Sequence, residues 1–123
     1  MTTPQERFRA LVWGAELLAE IALDDSMPAQ MQQETQRLRV IYPSAQELIR
    51  WVRSPPTEIS SEHCSAIRGA LALFQAVQGS DYGRPSTRRS ILFALRHFPS
   101  KSLVATWERG FWPTVADWLE EDA

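Results

Sequence analysis

Cys64, His63 and His97 are the residues of this chain best suited to nucleophilic catalysis. A cysteine–histidine pair works when the imidazole takes the thiol proton, so the two side chains must lie within hydrogen-bonding distance. His63 directly precedes Cys64, and neighbours on a helix point about 100° apart. Cys64 also shares an apolar stripe with Ile67 and Leu71. We therefore expect a buried structural cysteine and no catalytic residue.

The acidic residues do not form an obvious catalytic or metal-binding set. Neither histidine has a carboxylate at a spacing that would bring both to one helix face, so no zinc ligand set is predicted. Asp24-Asp25 is interpreted as a solvated loop that ends a helix, and Glu120-Glu121-Asp122 as an acidic tail. Residues 79–83 contain two glycines but lack the spacing of a phosphate-binding loop. The sequence thus predicts a protein that is not an enzyme and uses no metal or cofactor.

A basic segment between positions 84 and 101 contains no acidic residue. Its members are Arg84, Arg88, Arg89, Arg96 and Lys101. Such a segment suits an anionic partner, and a basic helix after a glycine-containing loop is compatible with a DNA-recognition helix. Ile91, Leu92 and Leu95 on the same helix are expected to face the core, and side chains for reading base edges are missing. With a net charge of −2, nucleic-acid binding is therefore the alternative hypothesis.

Aromatic residues are concentrated near the C-terminus. The candidates for binding a protein partner are Trp107, Phe111, Trp112 and Trp118, together with Leu17 and Ile21 of the widely apolar first helix. Two interpretations remain open. The last helix closes one end of a bundle, or the rings remain partly exposed and dock a protein partner or a second copy of the chain.

The two halves of the chain resemble each other when they are aligned with an offset of 56 residues. Tyr42-Pro43-Ser44 then falls on Phe98-Pro99-Ser100, and Trp51 falls on Trp107. The pseudo-repeats span residues 3–53 and 59–109. We therefore predict two similar three-helix units related by a pseudo-twofold axis, which together with a C-terminal helix form a single domain over residues 1–123.

Helix signals recur along the whole chain, whereas alternating strand patterns are lacking. Capping boxes at Thr3–Glu6 and Ser44–Glu47 predict two helix starts, and Gly79 and Gly110 predict two helix ends. The predicted helices lie at about 4–23, 28–41, 61–78, 86–97 and 112–121, with short helices after Ser44 and after Ser100. The fold class is all-α, a helical bundle.

Composition indicates the cellular compartment in which the protein is expected. One cysteine among 123 residues rules out an internal disulfide and favours a reducing compartment. Residues 1–7 lack the pattern of a secretory signal, and charged or amide side chains interrupt every apolar stretch. We expect a cytoplasmic protein that does not enter a membrane.

Two motifs resemble those of a family of small uncharacterised proteobacterial proteins. Residues 2–7 read Thr-Thr-Pro-Gln-Glu-Arg, and residues 95–100 read Leu-Arg-His-Phe-Pro-Ser. The first half carries the second motif in altered form, with Val40 and Ile41 in place of the Arg-His pair. These motifs begin and end helices, so the resemblance implies a helical fold and a bacterial source and implies no activity.

Together these observations predict a small bacterial regulator that binds another protein and inhibits or modulates it. An anti-activator of a transcription factor is one form, and an antitoxin, immunity protein or inhibitor of host defence is another. The partner is expected to be a protein, with a homodimer as a further possibility. The alternative is a nucleic-acid-binding regulator that uses the basic segment 84–101.

Overall fold

The computed structural model describes residues 3–56 and 58–120, which form seven helices with no strand among them. The helices are α1 (Pro4–Ala22), α2 (Ala29–Ile41), α3 (Ala45–Arg53), α4 (Ser61–Gln78), α5 (Pro85–Leu95), α6 (Lys101–Arg109) and α7 (Val115–Glu120). The all-α class expected from the sequence is confirmed.

Helix boundaries follow the capping residues closely. Thr3 and Ser44 each exchange hydrogen bonds with the glutamate three residues later, which satisfies backbone N–H groups at the starts of α1 and α3. Ser100 accepts a hydrogen bond from the backbone at the start of α6. Gly110 ends that helix with a φ of 70°, a conformation that costs glycine little.

The C-terminal helix begins later than the sequence pattern suggested. It starts at Val115 and not at residue 112, because Thr114 acts as its cap by exchanging hydrogen bonds with Asp117. Trp112 and Pro113 consequently belong to the connection between α6 and α7. The predicted end of this helix at residue 121 lies outside the described residues.

The two long helices, α1 and α4, organise the bundle. Both α2 and α5 pack against α1 and also against α4, so the four helices surround a common core. The shorter helices lie outside this group: α3 and α7 pack on α1, and α6 packs on α4. Leu92 on α5 is exposed, contrary to the expectation that it faces this core, because the buried side of the short α5 is formed by Thr87, Ile91 and Ala94.

The second half repeats helix positions of the first half. α2 and α5 begin at Ala29 and Pro85, and α3 and α6 begin at Ala45 and Lys101, each pair separated by 56 residues. The packing of α1 with α3 has a counterpart in that of α4 with α6, as expected for a pseudo-twofold axis. A duplicated three-helix unit stays a prediction that rests on these correspondences.

None of the described helices combines the length and the apolar character that crossing a lipid bilayer requires.

Candidate functional site

Three of the six residues expected to bind a partner are buried. Leu17 and Ile21 lie in the core, since α1 is packed against helices on several sides. Trp107 is also fully buried, at the junction of α6 and α7. The expectation that these three side chains face a partner is therefore wrong, because the wide apolar stripe of α1 and the ring of Trp107 are covered within the chain itself.

Trp118 joins Trp107 in closing one end of the bundle. Their ring centroids lie 5.2 Å apart with an interplanar angle of 55°, and Trp118 is half-buried. The Arg7 guanidinium on α1 donates a 2.7 Å hydrogen bond to the Trp118 carbonyl and so fixes the last helix against the first. For these two rings, the interpretation that α7 closes the bundle describes the structure.

Phe111 and Trp112 are the two aromatic candidates that remain at the surface. Their side chains are 61% and 76% exposed, although each is large and mostly apolar. We call this pair the aromatic corner. Exposed apolar and aromatic side chains of this kind are typical of surfaces where proteins bind one another.

Hydrogen bonds on both sides hold the backbone of the aromatic corner. The Phe111 N–H donates to the Thr106 carbonyl at 2.9 Å, which continues the helix-ending turn at Gly110. The Thr106 hydroxyl donates to the Pro113 carbonyl at 2.8 Å, and the Thr114 N–H donates to the Asp117 carboxylate at 2.9 Å. The turn that presents the two rings is thus tied to both neighbouring helices.

Two members of the basic segment are engaged within the chain. Arg84 lies 3.7 Å from the buried carboxylate of Asp24 and 3.8 Å from Asp25. The Arg88 guanidinium donates hydrogen bonds to three carbonyl oxygens at and after the C-terminus of α4, those of Val77, Gln78 and Tyr82. Both side chains therefore stabilise the loop between α4 and α5, a role that the charge pattern did not predict.

The other basic residues of the segment have different neighbours. Arg89 is exposed, and the Arg96 guanidinium lies 5.7 Å from the ring centroid of Phe93. Lys101 lines a groove along α4 together with Arg37 and Arg68. Within the segment 84–101, Arg88 is therefore engaged by backbone carbonyls, and the 57% exposed Arg84 lies close to two carboxylates, so both present less free positive charge than the sequence suggests.

Cys64 is buried and has no histidine positioned to activate it. Burial raises the pKa of its thiol to about 11, with a further contribution from the Glu108 carboxylate, so the thiolate is scarce at neutral pH. His63 Nε2 lies 3.3 Å from Glu47 Oε2, and His97 Nε2 lies 2.9 Å from Glu6 Oε2. Each imidazole thus faces a carboxylate in the first turn of another helix, α3 for His63 and α1 for His97.

Within residues 3–56 and 58–120, no three histidine, cysteine or acidic side chains converge in a way that would hold a metal ion.

Sequence reasoning missed a cavity of about 270 Å³ between α1 and α5. Its lining residues are Trp13, Glu16, Leu17, Glu20, Ser90 and Phe93. Trp13 and Phe93 belong to neither of the apolar stripes that predicted α1 and α5. Large aromatic residues that fall outside the core-facing stripe of an amphipathic helix are the signal that would have identified this cavity.

No family model, curated protein or solved structure matches this chain.

Proposed function

We propose that this chain is a non-catalytic protein-binding module, a small bacterial regulator that docks through the aromatic corner and inhibits or modulates its partner. An anti-activator that masks the dimerisation surface of a transcription factor is one form, and an antitoxin, immunity protein or inhibitor of host defence is another. In this proposal the partner is a protein, and the module acts in the cytoplasm.

The observation that carries the proposal is the exposure of Phe111 and Trp112 on a turn held by hydrogen bonds. Tryptophan is enriched among the residues that dominate binding energy at protein interfaces. A side chain presented by an ordered backbone loses little further conformational entropy when it is bound, so more of its burial contributes to affinity. Neither ring belongs to the buried core, so the two rings do not stabilise the fold by their burial.

The charge distribution favours a protein over a nucleic acid as the partner. Arg84 and Arg88 are bound to carboxylates and carbonyls of the chain, which leaves less positive charge free for phosphate groups. The net charge is −2, so long-range attraction of a polyanion is absent as well. Protein contact through apolar rings does not depend on either property.

Replacing Trp112 with alanine is expected to weaken partner binding at least about tenfold while the fold is retained. The tagged protein is used to capture its partner from native cell extract with nuclease present, and the amount recovered is measured by quantitative mass spectrometry. The free energy of unfolding should change by less than about 0.5 kcal/mol, because Trp112 is 76% exposed.

A matched control separates the aromatic corner from exposed apolar surface in general. Leu23 is 75% exposed at the end of α1, and its replacement by alanine should leave capture unchanged. Equal loss of capture with both variants, or loss of every partner on nuclease treatment, would exclude the aromatic corner as the docking site. Light scattering of the purified protein shows whether the chain dimerises, and loss of such a dimer in Trp112→Ala would place the second copy at the aromatic corner.

A further inference from the structure

The cavity between α1 and α5 combines aromatic walls with carboxylate groups. Leu17 forms its buried base, while Trp13 and the half-exposed Phe93 contribute aromatic rings. Glu16 is exposed at its rim. Glu20 is partly buried, and one of its carboxylate oxygens accepts a 3.0 Å hydrogen bond from the Thr87 hydroxyl. We call this the α1/α5 cavity.

The two rings of the α1/α5 cavity also border a second, smaller cavity, where each already contacts a guanidinium group. Arg9 lies 6.0 Å from the ring centroid of Trp13, and Arg96 lies 5.7 Å from that of Phe93. The chain's own contacts therefore show that these rings accept cations. In the α1/α5 cavity no basic residue lies among the lining side chains, and two glutamates take that place.

We propose that the α1/α5 cavity binds an arginine side chain of a partner protein. A planar guanidinium stacks on aromatic rings and donates hydrogen bonds to a carboxylate, so one arginine satisfies both kinds of lining residue. A lysine ammonium is a compact, strongly hydrated charge that uses the aromatic rings less well. Glu16 and Glu20 repel acidic side chains and phosphate groups, which excludes anionic ligands.

This inference concerns a different surface from the aromatic corner and does not rest on it. The corner consists of Phe111 and Trp112 between α6 and α7, whereas the cavity lies between α1 and α5. A peptide-binding experiment on the purified protein tests the cavity alone. Failure of this proposal would therefore leave partner capture through Trp112 unaffected, and the reverse also holds.

The test titrates the intact protein with the blocked tripeptide acetyl-Gly-Arg-Gly-amide and follows the indole N–H signals by NMR. The Trp13 signal, assigned from its loss in the Trp13→Phe variant, should shift as the peptide binds. The same peptide with citrulline, which keeps the shape and loses the charge, should bind at least about fivefold more weakly. The lysine peptide should fall between the two.

Two variants connect the binding to the carboxylates of the cavity. Glu16→Gln removes a charge with little change in volume and should weaken binding of the arginine peptide about threefold or more. Glu62→Gln, at an exposed glutamate in the first turn of α4, should leave binding unchanged. Equal affinity for the citrulline peptide, no effect of Glu16→Gln, or no shift of the Trp13 signal up to the solubility limit of the peptide would overturn the proposal.

Discussion

Asp24→Asn is expected to lower the free energy of unfolding by about 3 kcal/mol at neutral pH. Although the sequence pattern had suggested a solvated loop, the Asp24 side chain is buried, with 1% exposure. Its carboxylate accepts hydrogen bonds from the Ser26 N–H at 2.9 Å, the Ser26 hydroxyl at 2.6 Å and the Arg84 N–H at 2.9 Å. It thereby joins the loop after α1 to the start of α5.

The dependence of stability on acid pH is a second measurable consequence of the same interaction. Burial alone would raise the pKa of Asp24, but the hydrogen bonds from Arg84 and Ser26 outweigh it and lower the pKa to about 2. The ordinary value is 3.8, so the ionised carboxylate contributes about 2 kcal/mol to stability above that pH. This contribution is lost as the pH falls from about 4 towards 2, because the unfolded chain binds a proton at this carboxylate in that range while the folded state still keeps it ionised.

Urea unfolding followed by circular dichroism at pH 7, 5 and 3 measures both effects. Between pH 5 and pH 3 the wild type should lose about 1 kcal/mol more than Asp24→Asn does. The neighbouring variant Asp25→Asn is the matched control, since the Asp25 side chain is 95% exposed and should change stability by less than about 0.5 kcal/mol. Similar effects of the two variants at pH 7, or parallel acid dependence of wild type and Asp24→Asn, would contradict this role.

Gly14→Ala is expected to destabilise the protein by about 2 to 3 kcal/mol, although alanine normally favours a helix interior by about 1 kcal/mol. A Cβ atom on Gly14 would overlap the Tyr42 hydroxyl and lie 2.9 Å from Cε1 of Phe98. Tyr42 is buried and donates a 2.7 Å hydrogen bond to the Leu11 carbonyl, so its ring has no free space to occupy. The methyl group therefore has to displace a ring and its hydrogen bond.

Thermal or urea unfolding of four variants, Gly14→Ala, Tyr42→Phe, the double variant and Gly79→Ala, checks this explanation. Gly79→Ala is the control, because the nearest atom to its Cβ would be 3.5 Å away, and its stability should stay within about 0.5 kcal/mol of wild type. Adding Tyr42→Phe to Gly14→Ala removes the overlapping hydroxyl and should recover about 1 kcal/mol relative to the sum of the two single changes. A more stable Gly14→Ala protein would refute the close approach of α1 and Tyr42.

Helix starts and ends were predictable because capping is a local interaction. Thr3, Ser44 and Ser100 each bond to backbone within three residues, and that spacing is visible in the sequence. The start of α7 was mispredicted because proline often occupies the first helical position, whereas here Pro113 precedes the capping residue Thr114. Local chemistry allowed both positions, and the tertiary structure uses the later one.

The candidate site was predictable only in part because it depends on contacts between distant residues. Asp24 and Arg84 are 60 residues apart, so no local spacing indicates that the Asp24 carboxylate accepts a hydrogen bond from the Arg84 N–H. Trp107 and Trp112 look equivalent in a sequence, and only the packing of α7 covers one of them and leaves the other exposed. Which part of a wide apolar stripe becomes core is decided by the neighbouring helices.

Site-specific photo-crosslinking tests most directly whether the aromatic corner docks a protein. A photoreactive benzophenone amino acid replaces Trp112 in one sample and Leu23 in another, and both proteins are irradiated in native cells before mass spectrometry. The proposal predicts one protein attached at position 112 and not at position 23. The absence of a protein adduct at position 112, or the same adducts from both positions, would contradict the proposed function.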